Sequence, residues 1–180
     1  NSNDVVFLRI LAQYLQSRNN FSTTKTYVVG YSQGGSMSNL LAIDAGDVFK
    51  AAASVAGSIN QNIVQDCYPQ YAVPTFTIHG LLDTVYPIAG STTKKTAPMS
   101  KIINLWKQSN NCYYQGDTSM ASDSTIAMVY RDSLATKEVW YYAIKGHGHT
   151  FPGLLTNGQV TDQSGIKGWE VVWNFFKKWQ

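Results

Sequence analysis

The stretch Thr26-Tyr27-Val28-Val29-Gly30-Tyr31-Ser32-Gln33-Gly34-Gly35-Ser36-Met37 constrains this chain more than any other. A short apolar run, a turn flanked by glycines and the opening of a helix follow one another directly. Gly30, Ser32 and Gly34 stand in the pattern G-x-S-x-G, the spacing of a nucleophile elbow. A serine hydroxyl reaches into a cleft only from a sharp, strained turn. Glycines two residues before and two residues after are expected to let strand and helix approach closely. The N–H of Gln33, first in the helix, is then aimed to donate to an oxyanion. Read alone, the five residues could be an ordinary turn; the strand before and the helix after raise them above that.

The chain has 180 residues, enough for one domain with a real core. Hydrophobic residues make up 44% and charged residues 14%, a globular composition. The net charge of +3 is small, and the pairs Lys94-Lys95 and Lys177-Lys178 read as solvated corners. A nucleic-acid footprint needs a basic stripe, so none is expected. No apolar run approaches the length of a membrane span. Few charges with many Asn, Ser, Thr, Tyr and Trp fit an exported protein. The chain starts at Asn1, and is expected to be a mature product or a piece of something longer. Cys67 and Cys112 are an even pair, which permits one disulfide or two separate buried thiols. Asn20-Phe21-Ser22 is a glycosylation sequon, relevant only in a eukaryotic secretory route.

Taken in order, residues 4–18 are expected to form a helix capped by Asp4, with Phe7, Leu8, Leu11 and Leu15 inward. The elbow strand follows, then a helix over 33–44 with Met37, Leu40 and Leu41 inward. Residues 49–56 read as a buried parallel strand. Residues 58–71 read as a polar loop or short helix, and 73–79 as a strand with Pro74 at its start, where proline is tolerated. Pro98 opens a helix to 107 with a stripe of Met99, Ile102, Ile103 and Trp106. Residues 113–123 are polar and read as irregular. Strands are expected over 125–131 and 138–144, and a final helix over 165–179 with Trp169, Val172, Trp173 and Phe176 as its core face. Strands alternating with helices predict an α/β fold with a mostly parallel sheet and helices on both faces. In such sheets ligands gather beyond the carboxyl ends of the strands.

Three loops at those ends carry the chemistry. A serine needs a base to take its proton and an acid to orient the base. His149 lies in the glycine-rich loop 146–153, after the last strand, and is favoured as base over its neighbour His147. His79, at a strand end before Gly80, reads as a structural hydrogen-bonder. Asp83, in the turn between Gly80 and Pro87, is the best orienting acid, because the other aspartates fall on helix ends or polar loops. The order Ser32, Asp83, His149 is that of the α/β-hydrolases. Tyr31 and Phe151 are assigned with Gln33 to the oxyanion and substrate side. No His, Cys and carboxylate cluster has metal-ligand spacing, and neither a metal nor an organic cofactor is expected.

At these residues the chain resembles the polyhydroxybutyrate depolymerase and feruloyl esterase family of secreted serine esterases, similar to carbohydrate esterase family 1. The resemblance rests on Asp4-Val5-Val6-Phe7-Leu8-Arg9, Gly30 to Met37, Val73-Pro74 with His79-Gly80-Leu81-Leu82-Asp83, Trp106 with Asn111-Cys112, and Gly148-His149-Thr150-Phe151-Pro152-Gly153. It implies ester hydrolysis by Ser32, His149 and Asp83 and a disulfide between Cys67 and Cys112. Phe151 stands where the family carries Trp. The family also carries a longer front portion, with early strands and a loop offering a second oxyanion donor. This chain is therefore expected to be the C-terminal part of one esterase domain, to need that segment as partner, and to leave an open edge beside the elbow strand. The expected substrate is a feruloyl or acetyl ester of the plant cell wall. A polyester such as polyhydroxybutyrate, a peptide cleaved by the same fold, and an inactive binding fragment are the alternatives.

Overall fold

The computed structural model describes residues 3–153, 155–156 and 159–180. The described elements run α1 (Asn3–Asn19), β1 (Tyr27–Tyr31), α2 (Gln33–Asp44), β2 (Ala51–Val55), α3 (Gln61–Asp66), β3 (Thr75–Gly80), α4 (Met99–Ser109), β4 (Tyr114–Met120), β5 (Thr125–Arg131), β6 (Glu138–Ile144), the short β7 (Leu155–Thr156) and β8 (Gln159–Val160), and α5 (Gly168–Lys177). Six strands form one sheet in the order β1-β2-β3-β6-β5-β4. β1, β2, β3 and β6 run parallel; β5 and β4 turn antiparallel.

Residue identity explains the layers. β2 and β3 are buried at every position, which small Ala side chains and the β-branched Val55, Thr75, Thr77 and Ile78 permit between helices. Side chains alternate across the sheet with period two. Ala52 and Val139 face a layer built by Ile43, Ile102, Ile103 and Trp106 from α2 and α4. Ala51, Ala53, Val55, Phe76 and Ile78 face Val172, Phe175 and Phe176 from α5. The α/β architecture with helices on both faces is as expected.

Three elements differ from expectation. Residues 114–120 are not irregular: they form β4, the antiparallel edge strand beside β5. An edge strand tolerates the polar side chains that made this segment read as a loop. α5 begins at Gly168 and is rotated about its axis. Val172, Phe175 and Phe176 are buried, whereas Trp169 and Trp173 are 43% and 54% exposed. α1 is rotated too, with Val5 and Gln16 buried and Phe7 62% exposed. Asp4 lies within its first turn rather than at its cap. Val6, Phe7, Ile10 and Tyr14 thus form an exposed apolar face, and β1 is the outer strand beside it.

Candidate active site

Ser32 sits between β1 and α2 with φ 56° and ψ −119°, a strained conformation for a residue with a side chain. The turn is held by the Ser32 N–H donating to the Val55 carbonyl at 2.9 Å. Gly30 is what lets the turn close: a Cβ there would lie 2.1 Å from the backbone of Gly34. Gly34 is different, since a Cβ on it meets nothing within 4 Å. Gly35, beside it, is tight instead, with the Val55 carbonyl 2.9 Å from the place of its Cβ. The close approach of strand and helix therefore depends on Gly30 and Gly35, not on both glycines of the five-residue pattern.

The three loops meet. Ser32 Oγ lies 2.8 Å from His149 Nε2, and His149 Nδ1 lies 2.8 Å from Asp83 Oδ2. The Asp83 side chain is fully enclosed and that of His149 is 16% exposed. Both Asp83 oxygens are occupied: Oδ1 accepts the N–H groups of Val85 and Tyr86, each at 2.8 Å. The turn folds this way because an aspartate readily accepts from N–H groups two and three residues on. Gly80 lets the His149 loop lie against β3, for a Cβ there would fall 2.3 Å from the His147 carbonyl.

The remaining expected residues fall as follows. Gln33 opens α2, so its N–H is one of the first-turn donors without an acceptor inside the helix. Tyr31 donates its hydroxyl to the His149 carbonyl at 2.7 Å, and its ring packs 5.4 Å from the His149 ring. It thus braces the base from the elbow. Burial, then the nearby Asp83 charge, pushes its phenol above the ordinary value. Phe151 stands edge-on to Tyr31 at 6.2 Å. His147 is turned away from Ser32, with its Nε2 2.8 Å from the Thr150 hydroxyl.

The disulfide is a correction: Cys67 and Cys112 are both free thiols. Cys112 is buried, and its Sγ lies 3.5 Å from the Lys137 carbonyl and 3.6 Å from that of Asn110. Burial, then Asp132 and Glu138, pushes this thiol up to about 11. Burial and Asp44 also raise Cys67. Two residues fix the site although the sequence assigns neither to it: Tyr86, and Lys94, which reads there only as part of a solvated corner. The Tyr86 ring stands edge-on to His149 at 5.6 Å. Lys94 Nζ donates to the carbonyls of Thr84 and Val85, at 3.1 and 2.8 Å. The Asp-x-x spacing could have signalled Tyr86; nothing local signals Lys94. A cleft of about 250 Å³ beside the site is lined by Ser36, Ser58, Ile59, Tyr86 and Lys94, among others.

A mostly parallel sheet with a strained serine after β1, an acid after β3 and a histidine after β6 is the arrangement of the α/β-hydrolase fold. The comparisons agree. Residues 8–66, which include the elbow, match the Prolyl oligopeptidase family. Feruloyl esterase B of Piromyces equi is 25% identical over 97% of this chain and 32% of its own length. An acetyl xylan esterase from Aspergillus awamori superposes with a TM-score of 0.66 at 14% identity, over 96% of this chain and 66% of that one. A carboxylesterase from Bacillus cereus gives 0.57 at 12% identity, over 98% and 62%. The chain therefore spans about a third of the feruloyl esterase it matches and less than two thirds of that carboxylesterase. These three similar proteins are named as esterases.

Proposed function

We propose that the chain carries the catalytic side chains of a serine carboxylic-ester hydrolase acting on feruloyl or acetyl esters of plant cell-wall polysaccharides. The observation that supports this reading is the continuous line from Ser32 Oγ through the His149 ring to Asp83, with 2.8 Å at each contact. Both contacts are within the range for proton transfer.

His149 Nε2 takes the hydroxyl proton as Ser32 Oγ attacks the ester carbonyl carbon. The carbonyl π electrons move to oxygen, where the Gln33 N–H donates. Asp83 holds the ring with its proton on Nδ1 and stabilises the imidazolium. Collapse expels the alcohol, which receives the proton from His149 and leaves an acyl group on Ser32. Water, deprotonated by His149, then releases the acid. A second oxyanion donor comes, in this reading, from polypeptide outside these residues.

Substrate comparison tests the proposal. Methyl ferulate and acetylated xylan should be cleaved faster than hydroxybutyrate oligomers. Ser32→Ala should lose about 10⁴-fold or more in turnover and no longer be labelled by an organophosphonate; undiminished turnover would end the assignment. The match to the Prolyl oligopeptidase family favours one second reading, a peptidase. A peptide-amide substrate run beside the esters separates the two.

A further inference from the structure

Behind Asp83 stands a group that the proton transfer does not use. His79 is the last residue but one of β3, and its ring is 1% exposed. Its Nε2 lies 2.8 Å from the Tyr86 carbonyl oxygen and 3.4 Å from Asp83 Oδ2. Both neighbours can only accept, so Nε2 carries the hydrogen. Nδ1 is then the bare nitrogen, and it is buried without a hydrogen-bond partner among the described residues. The surroundings thus select one tautomer. A charged ring would require a second acceptor, at Nδ1, which the site does not provide.

The placement of that single N–H matters because of what Tyr86 does. The Tyr86 N–H donates to Asp83 Oδ1, and the Tyr86 carbonyl receives the His79 proton. One residue is gripped at both ends of its backbone, from the carboxylate and from the ring. At 3.4 Å, Asp83 Oδ2 feels the same N–H dipole without taking a full hydrogen bond. That oxygen is the one that meets His149.

We propose that His79 is a positioning residue for the Ser32–His149–Asp83 relay: its one ring N–H fixes the Tyr86 carbonyl and flanks Asp83 Oδ2, holding the carboxylate in the orientation that meets His149. The proposal rests on the esterase reading for its catalytic consequence but not for its geometry. The neutral state of the ring agrees with it. Burial lowers the His79 pKa and outweighs the opposing pulls of the Tyr86 carbonyl and Asp83, with His149 adding a last, smaller push in the same direction as burial. The charged and titratable groups around the ring are Asp83 on its own loop and His149 from the loop after β6. Lys94 acts on the same turn through the Thr84 and Val85 carbonyls. A charged His79 would compete with His149 for Asp83; a neutral donor supports the carboxylate without competing.

Two variants separate positioning from packing. His79→Phe fills the space without a donor, and His79→Gln returns an N–H near the place of Nε2. The readouts are the downfield proton resonance of His149 Nδ1–H, and kcat and KM on a nitrophenyl ester. In His79→Phe the resonance should move and broaden. kcat should fall about 10- to 100-fold with KM within about twofold, and His79→Gln should recover most of it. A folded His79→Phe with an unmoved resonance and unchanged kcat overturns the proposal. So does a His79→Gln as defective as His79→Phe, which would leave the ring a packing role only. Should His79→Phe not fold, ¹⁵N spectra of the unmodified protein still decide. A charged ring at pH 7, or a proton on Nδ1, refutes the arrangement. The resonances are read whether or not esters are cleaved. Absence of phosphonate labelling at Ser32 would count against the esterase reading alone.

Discussion

Ser32 occupies backbone angles that a side chain rarely adopts, and it is kept there by neighbours that over-determine it. The two glycines of the pattern are not equivalent in this. Gly30→Ala would drive a Cβ onto the backbone of Gly34 and should cost about 3 kcal/mol, read as a fall in the denaturant midpoint. Gly34→Ala enters open space on a helix and should be neutral or stabilising by up to about 1 kcal/mol. The cysteines give a second prediction at this scale. A thiol-specific assay should count two thiols in denaturant without reductant, in agreement with both being free. In the folded protein the labelling should be slow near pH 8, because both thiols are raised and little thiolate forms. The half-buried Cys67 should react before the buried Cys112.

At the scale of elements, α5 shows how a correct helix can be assigned the wrong face. The tryptophans at 169 and 173 and the phenylalanines at 175 and 176 are all apolar, so periodicity admits more than one inward stripe. What selects among them is the sheet. Phe76 and Trp140 receive the Phe175 ring at 5.4 Å each, and Tyr27 stacks on Phe176 at 5.0 Å. Phe175→Ala should therefore cost about 3–5 kcal/mol in unfolding free energy, while Trp173→Ala should cost under about 1 kcal/mol. Equal losses would show that α5 packs otherwise. α4 is the contrasting case. Its stripe of Met99, Ile102, Ile103 and Trp106 is buried as expected, because polar residues separate the apolar ones and leave only one choice.

For the whole molecule, Glu138 links three elements at the end of the sheet opposite the site. Its carboxylate accepts from Arg131 Nε on β5 at 2.9 Å, from Trp140 Nε1 on β6 at 2.6 Å, and from Lys178 Nζ just past α5 at 2.6 Å. Burial alone would push its pKa up, but Lys178, Trp140 and Arg131 overcome this and hold it below its ordinary value. A depressed carboxylate contributes stability above its unfolded pKa of about 4.3, and that contribution is lost as pH falls through the lower folded value. Melting temperature should fall with acidification below about pH 4.5, and Glu138→Gln should flatten that limb. At pH 7 the same variant should cost about 2 kcal/mol for the charged hydrogen bonds removed. An unchanged acid limb would locate the titration in another group.

Much of this was readable along the chain. The elbow, the bounds of α2, β5 and β6, and the candidacy of Ser32, Asp83 and His149 follow from spacing and turn chemistry, because each depends on neighbours a few residues away. The role of Gly34, the strand at 114–120, the outward face of α1 and the state of the cysteines did not. Each of those is set by groups distant in sequence. An edge position admits polar residues, and a helix face is chosen by whatever lies opposite.

The sequence by itself therefore determined which chemistry-bearing side chains exist, and in what order strands, helices and turns present them. Only the tertiary structure decided that a hydroxyl, an imidazole 117 residues later and a carboxylate 66 residues before that ring stand in line. The same holds for His79 and Tyr86 enclosing the carboxylate from behind. The physical reason is range: turn preferences and apolar periodicity act over one or two turns of chain. Contacts of 2.8 Å between separate loops exist only once the sheet has brought its strand ends side by side.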